Sequence, residues 1–110
     1  MADAIGDGAT RASGSLRTYV HIAVHRPRAG KRRDVVASMY RMRDAILAQP
    51  GIIDCFTLAD DESDALIGIA IWESHEAYLA ARAAMAAAVE GDPFGEWEDT
   101  GPEVFRARLA

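Results

Sequence analysis

Residues 65–85 read ALIGIAIWESHEAYLAARAAM, and this stretch decides the fold. It begins with an apolar run that ends at Trp72, and an alanine-rich segment with helical spacing follows. Ser74 stands between the two as a ready N-cap, because its hydroxyl can accept a hydrogen bond from the first turn of a helix. The stretch therefore predicts a strand that passes almost without a loop into a helix, with the other elements arranged around this unit.

The composition is that of one globular domain. The chain has 110 residues, half of them hydrophobic, and a formal net charge of −5, so it lacks the basic surface of a nucleic-acid binder. No apolar run approaches the ~20 residues that cross a bilayer. The single cysteine, Cys55, is expected to be a buried structural thiol in a cytoplasmic protein. Residues 1–15 lack periodicity and are predicted to be a disordered tail, with the folded domain spanning 16–110.

Hydrophobic periodicity predicts four strands, two longer helices and one short helical turn. The predicted strands are residues 16–25, 52–59, 65–72 and 103–109, and the predicted helices are 34–49 and 75–89, with the turn at 94–97. Pro50 ends the first helix, and the Gly-Asp-Pro sequence at 91–93 ends the second. The acidic connection at 60–64 is short enough to make the second and third strands an antiparallel hairpin.

The resulting order, β-α-β-β-α-β, predicts an α+β fold of the ferredoxin-like split type. Such a fold is a four-stranded antiparallel sheet that carries both helices on one face. The other face of these strands is also apolar, and a second copy of the chain would cover it most simply. We therefore predict a homodimer with the two sheets face to face.

Three motifs resemble the antibiotic biosynthesis monooxygenase family: QPGI at 49–52, the acidic hairpin, and above all IAIWESHEAY at 69–78. The resemblance covers residues 16–110 and implies a dimeric α+β barrel. It also implies a cofactor-independent monooxygenase that acts on an aromatic phenol or quinol in secondary metabolism. Many members carry a helical histidine where this chain has Ala81. Haem-degrading relatives use an Asn, a Trp and a His where this chain has Ala23, Ala81 and Gly91, so we exclude haem degradation.

The candidate catalytic base is His21, which shares one face of the first predicted strand with Tyr19 and the small Ala23. A histidine can accept a proton from a phenolic substrate, because its pKa is the closest to neutrality of all side chains. The alternative is a structural role for His21, at the sheet edge or against a partner subunit. His25 lies about 13 Å further along the strand, too far to share one metal ion with His21, and is expected to be exposed or partner-facing. We predict no metal and no cofactor.

Five further residues are candidates for substrate binding: Tyr19, Trp72, Arg82, Met85 and Trp97. Trp72 offers a flat wall for an aromatic ligand. Arg82 would orient an anionic substrate, or it is a surface residue. Trp97 would close the mouth of the pocket, or it covers the core.

Two functional hypotheses follow from the sequence. The first is a cofactor-independent monooxygenase for a small aromatic molecule, with His21 as the base. The second is a non-catalytic, dimeric small-molecule-binding or regulatory domain on the same fold. Oxygen uptake distinguishes them, because only the first consumes oxygen.

Overall fold

The computed structural model describes residues 16–110, in which the strands and helices follow one another in the predicted order. The elements are β1 (Tyr19–His25), α1 (Arg32–Leu47), β2 (Ile52–Ala59), β3 (Leu66–Trp72), α2 (His75–Ala88), α3 (Phe94–Trp97) and β4 (Glu103–Arg108). The tail predicted for residues 1–15 lies outside the described residues. Within 16–110, no helix is both long and apolar enough to cross a membrane.

The four strands form one antiparallel sheet in the order β2-β3-β1-β4. The first strand is central, with Tyr19 opposite Trp72 of β3 and opposite Arg108 of β4. The last strand therefore returns beside the first, and the β2-β3 hairpin occupies the other side of the sheet. This confirms the predicted α+β ferredoxin-like fold.

The corner between β3 and α2 has the predicted form. The Ser74 hydroxyl accepts a hydrogen bond from the Ala77 backbone N–H at 3.1 Å and caps the helix. One residue earlier, the Glu73 backbone N–H donates to the Gly51 carbonyl at 2.8 Å. Gly51 has a φ of 83° and lies so close to α2 that a Cβ there would be 2.5 Å from the Ala77 Cβ. The QPGI motif therefore fixes where the corner meets the start of β2.

Both longer helices cover the same face of the sheet. Trp72 is fully buried there, in a core cluster that also contains Tyr19, Ile46, Tyr78 and Met85. A smaller cluster of Val35, Met39 and Leu66 lies nearer the start of α1.

The opposite face of the sheet has no covering layer in residues 16–110 and is apolar. Phe56 and Leu58 of β2 are each 42% exposed, and Phe105 of β4 is 48% exposed. The isoleucines of β3 between them are half-buried. This surface, which we call the open face, is the one predicted to meet a second copy.

The helix and strand boundaries differ from the predicted ones by one to three residues. The first strand begins at Tyr19 rather than at residue 16, because Leu16 is 74% exposed and lies in a turn. The first helix spans Arg32–Leu47 rather than 34–49. The helix ends at Leu47, two residues earlier than predicted. This agrees with the steric clash that disfavours helical geometry at the residue before Pro50. The second strand has the predicted bounds.

Candidate functional site

A cavity of about 90 Å³ lies between the sheet and the two longer helices. Its floor is the helix-facing side of β1, where His21, Ala23 and His25 follow one another at alternate positions. Its roof comes from α1 and α2 and is largely apolar, with Met39, Met42, Ile46 and Met85, but it also includes Ser38 and Arg43. The alternation of β1 therefore delivers two imidazoles into an otherwise largely apolar space.

His21 is held in its neutral form by its surroundings. It is half-buried and lies opposite Ala70 of β3 and Arg106 of β4. Burial and, to a smaller degree, the positive charge of Arg106 lower the pKa of His21 below its ordinary value of 6.5. Both effects disfavour the imidazolium. At neutral pH, His21 therefore has a free nitrogen lone pair that can accept a proton.

An aromatic and cationic cluster lies beside His21. The ring of Tyr78 is 5.2 Å from the His21 ring and 5.1 Å from the Tyr19 ring. The Arg106 Nε donates to the Tyr78 hydroxyl oxygen at 3.2 Å, and the Arg108 guanidinium lies 5.2 Å from the centre of the Tyr19 ring. The hydrogen bond to Tyr78 holds the exposed Arg106 close to His21.

His25 is paired with a buried carboxylate, and this contradicts the expectation that it is exposed or partner-facing. Its Nδ1 lies 2.8 Å from Oε2 of Glu98, which is only 1% exposed. The other carboxylate oxygen, Oε1, accepts a hydrogen bond from the Arg26 backbone N–H at 3.3 Å. Glu98 follows α3, and no local pattern predicts its pairing with a residue 73 positions away.

Small residues create the space between the two histidines. Ala23 lies opposite Gly68 of β3, and both line the cavity. A Cβ at Gly68 would be 3.5 Å from the terminal methyl of Met39, so a side chain there would occupy the cavity. The cavity therefore depends on the absence of a side chain at Gly68.

The structure brings together only two of the sequence-predicted site residues in the cavity. His21 and Met85 line it. Tyr19 and Trp72 lie outside the cavity and pack in the core. They are paired where β1 begins and β3 ends, and the ring of Tyr78 covers both.

Two more candidates lie away from the cavity. Trp97 packs against the cluster of Val35, Met39 and Leu66, while Arg82 is exposed on α2. A role in substrate binding for Tyr19, Trp72, Arg82 and Trp97 stays a prediction.

The thiol of Cys55 also lines the cavity but is not activated. Burial raises its pKa, Arg43 opposes this shift, and Asp54 adds to it. Because the thiolate is the nucleophilic form, a raised pKa keeps this cysteine unreactive. It agrees with the structural role expected from the sequence.

The cavity is small for an aromatic ligand in its present form. A cavity of about 150 Å³ is known to hold benzene, so the observed 90 Å³ requires some side-chain movement for a single ring. Three of the roof residues named above are methionines, whose flexible side chains adjust readily. The dimensions therefore favour a single-ring ligand over a fused three-ring one.

Comparison with known proteins finds no matching family model and no matching curated protein. Solved structures do match. SnoaB, a cofactor-independent oxygenase from Streptomyces nogalater, has a TM-score of 0.70 and 15% identity over 86% of this chain and 94% of its own. A conserved protein from Methanosarcina mazei has a TM-score of 0.77 and 14% identity over 90% of this chain and 97% of its own.

A third structure comes from Chloroflexus aurantiacus and is assigned as an antibiotic biosynthesis monooxygenase. It has a TM-score of 0.65 and 18% identity over 84% of this chain and 93% of its own. At these identities the likeness is one of fold. The resemblance predicted from the sequence motifs is confirmed at that level: this chain has the fold of the antibiotic biosynthesis monooxygenases.

Proposed function

We propose that this protein is a cofactor-independent monooxygenase for a small phenol or quinol, which binds in the cavity between sheet and helices. The observation that carries the proposal is the neutral His21 on the floor of an apolar cavity, with its pKa lowered by burial and by Arg106. A neutral imidazole accepts the hydroxyl proton of the substrate. The electron-rich anion that results is the species that reacts with molecular oxygen.

The surroundings of His21 suit this chemistry in two further ways. The methionine and isoleucine side chains of the roof keep water away from the anion, and molecular oxygen is itself apolar. Arg106, opposite His21 on β4, is exposed and does not line the cavity, so its positive charge favours the anion from outside the cavity. Arg106 thus adds to the effect of burial, which is the larger cause of the lowered pKa of His21, and also favours formation of the substrate anion.

Oxygen consumption tests the proposal. Hydroquinone, naphthohydroquinone and anthrone provide one, two and three rings, and the cavity volume leads us to expect the highest kcat/KM with one ring. A His21→Gln substitution should lower kcat by about 100-fold or more, the usual contribution of a general base.

The matched control is His75→Gln, because His75 lies at the start of α2 and does not line the cavity. Unchanged turnover in His21→Gln would refute the role of His21. Tight binding of a quinol without any oxygen uptake would favour the non-catalytic binding domain instead.

We propose in addition that the active form is a homodimer joined through the open face. The support is the set of exposed apolar side chains there: Phe56, Leu58, Phe105 and Leu109 are at least 40% exposed. Exposed apolar surface of this extent is uncommon on a monomer.

Sedimentation at micromolar concentration should give a dimer for the wild type and a monomer for Phe105→Arg. Leu79→Arg is the control, since Leu79 is an exposed apolar residue of α2 rather than of the open face. A monomeric wild type would refute the dimer.

The buried, free Cys55 also supports placing the protein in the reducing cytoplasm.

A further inference from the structure

The pair of His25 and Glu98 gives the cavity a second acid–base group. We propose that His25 donates a proton to the oxygen intermediate during the reaction, and that Glu98 is the positioning residue that holds its ring. The inference rests on the proposed monooxygenase function and adds to it a separate proton donor, about 13 Å along β1 from His21.

The ring of His25 is fixed from two directions. The Glu98 carboxylate accepts a hydrogen bond from Nδ1, and the Phe94 ring stacks on the imidazole with 5.9 Å between centroids and 27° between planes. Glu98 itself is anchored, since its Oε1 accepts from the Arg26 N–H and its backbone forms a bridge with Pro27. A carboxylate on Nδ1 selects the tautomer and orientation of an imidazole, as in catalytic triads.

The remaining ring nitrogen is left for a ligand. Within residues 16–110, Nε2 of His25 makes no hydrogen bond, and the residue lines the cavity. Protonation of Nε2 creates an imidazolium whose charge the Glu98 carboxylate balances at 2.8 Å. A buried ion pair is a costly way to fill a core, because apolar residues of similar volume serve stability as well or better. Acid–base chemistry explains why a carboxylate is buried here.

The two histidines suit the two ends of a quinol. Both lie on one strand face with the small Ala23 between them. The backbone positions of the two histidines lie ~13 Å apart along β1, which leaves room between their rings for a single aromatic ring with oxygens on opposite carbons. His21 therefore meets the hydroxyl that loses its proton, and His25 meets the other end of the bound ring.

The reaction balances with these two groups. His21 takes the hydroxyl proton of hydroquinone, and the resulting anion forms a C–O bond to molecular oxygen at a ring carbon. The His25 imidazolium gives its proton to the distal peroxide oxygen. The ring carbon then loses its C–H proton, the O–O bond breaks, and the departing hydroxide takes up a proton to become water.

Hydroquinone and oxygen thus give hydroxybenzoquinone and water, and the proton on His21 returns to His25 through solvent. When His25 cannot protonate the peroxide, water supplies that proton instead. The hydroperoxide then leaves by cleavage of the C–O bond, and the second hydroxyl of the ring loses its proton. The products are then benzoquinone and hydrogen peroxide. The ratio of the two quinones therefore reports proton donation separately from proton abstraction.

The experiment compares His25→Gln and Glu98→Gln with the wild type on hydroquinone, after subtraction of the enzyme-free oxidation. Glu96→Gln is the matched control, because Glu96 is an exposed carboxylate on α3. We expect His25→Gln to lower kcat for hydroxybenzoquinone about 100-fold, with KM changed less than about twofold and hydrogen peroxide as the main reduced product. Glu98→Gln should shift the product ratio in the same direction by roughly tenfold.

Nitrogen NMR of the wild-type imidazoles provides a readout that does not require the variants to fold. At the pH of turnover both ring nitrogens of His25 should carry a proton, and addition of hydroquinone in the absence of oxygen should shift its Nε2 resonance. An Nε2 without a proton in the resting enzyme, or an Nε2 resonance that hydroquinone leaves unchanged, would overturn the proposal. So would an unchanged product ratio in His25→Gln while the wild type makes hydroxybenzoquinone. Absence of oxygen uptake by the wild type would instead remove the monooxygenase function and this inference together.

Discussion

Substitution of Gly68 by alanine should raise the stability of the protein and impair its cavity at the same time. Glycine in the interior of a strand is less favourable than alanine by about 0.5–1 kcal/mol. The new Cβ would lie 3.5 Å from the terminal methyl of Met39, an ordinary contact without a clash. For a domain of this size the gain corresponds to a Tm increase of roughly 2–6 °C.

The cost to ligand binding comes from the volume of the added methyl. The added methyl would take up part of a cavity of only about 90 Å³, next to Met39. Overpacking by one carbon typically costs about 1–3 kcal/mol, so we expect KM for hydroquinone to rise about fivefold or more.

Thermal unfolding and oxygen uptake measure the two effects on one sample. Gly95→Ala is the matched control, because Gly95 lies on α3 and no atom would be within 4 Å of its Cβ. It should raise Tm by a similar amount and leave KM unchanged. A lower Tm in Gly68→Ala, or a KM within twofold of the wild type, would refute the assignment of this space as the ligand cavity.

Three further predictions concern the corner and the base. Gly51→Ala should destabilise the fold by at least about 2 kcal/mol in urea unfolding, because φ is 83° and the new Cβ would be 2.5 Å from that of Ala77; a smaller loss would mean that α2 shifts freely. Ser74→Ala should cost about 1 kcal/mol through loss of the helix cap, and Ser74→Asp should restore most of it. Arg106→Gln should move the acidic limb of the rate profile to higher pH, since the positive charge that helps burial to lower the pKa of His21 is removed. If the acidic limb does not move in Arg106→Gln, the pKa that controls the rate is not that of His21.

The fold could be predicted because its signals are local. The Trp-Glu-Ser corner places strand, cap and helix within a few residues, and the Ser74 cap occurs as expected. The Pro-Gly pair at 50–51 predicted the start of β2 correctly, because proline cannot continue the helix and glycine permits the turn with positive φ that follows. The alternation of β1 also put His21 and Ala23 on one face, and the structure shows that this face lies beneath the helices.

The site was less accessible from the sequence, because it is assembled by packing. Tryptophan is a residue type that often lines pockets, and this suggested Trp72 and Trp97. In the fold, however, Trp72 is fully buried and Trp97 is partly buried against a core cluster. The partner of His25 lies 73 residues away, after a helix of 4 residues that has no capping side chain. Such pairings depend on the return of the chain beside β1, which no local pattern encodes.

The central claim is that the cavity carries out monooxygenation with His21 as the base. The most direct test supplies hydroquinone with heavy-isotope oxygen gas and examines the product by mass spectrometry. The wild type should form hydroxybenzoquinone with one labelled oxygen atom, and His21→Gln should lose this product while His75→Gln retains it. Formation of benzoquinone without label by the wild type, or full labelling in His21→Gln, would contradict the account.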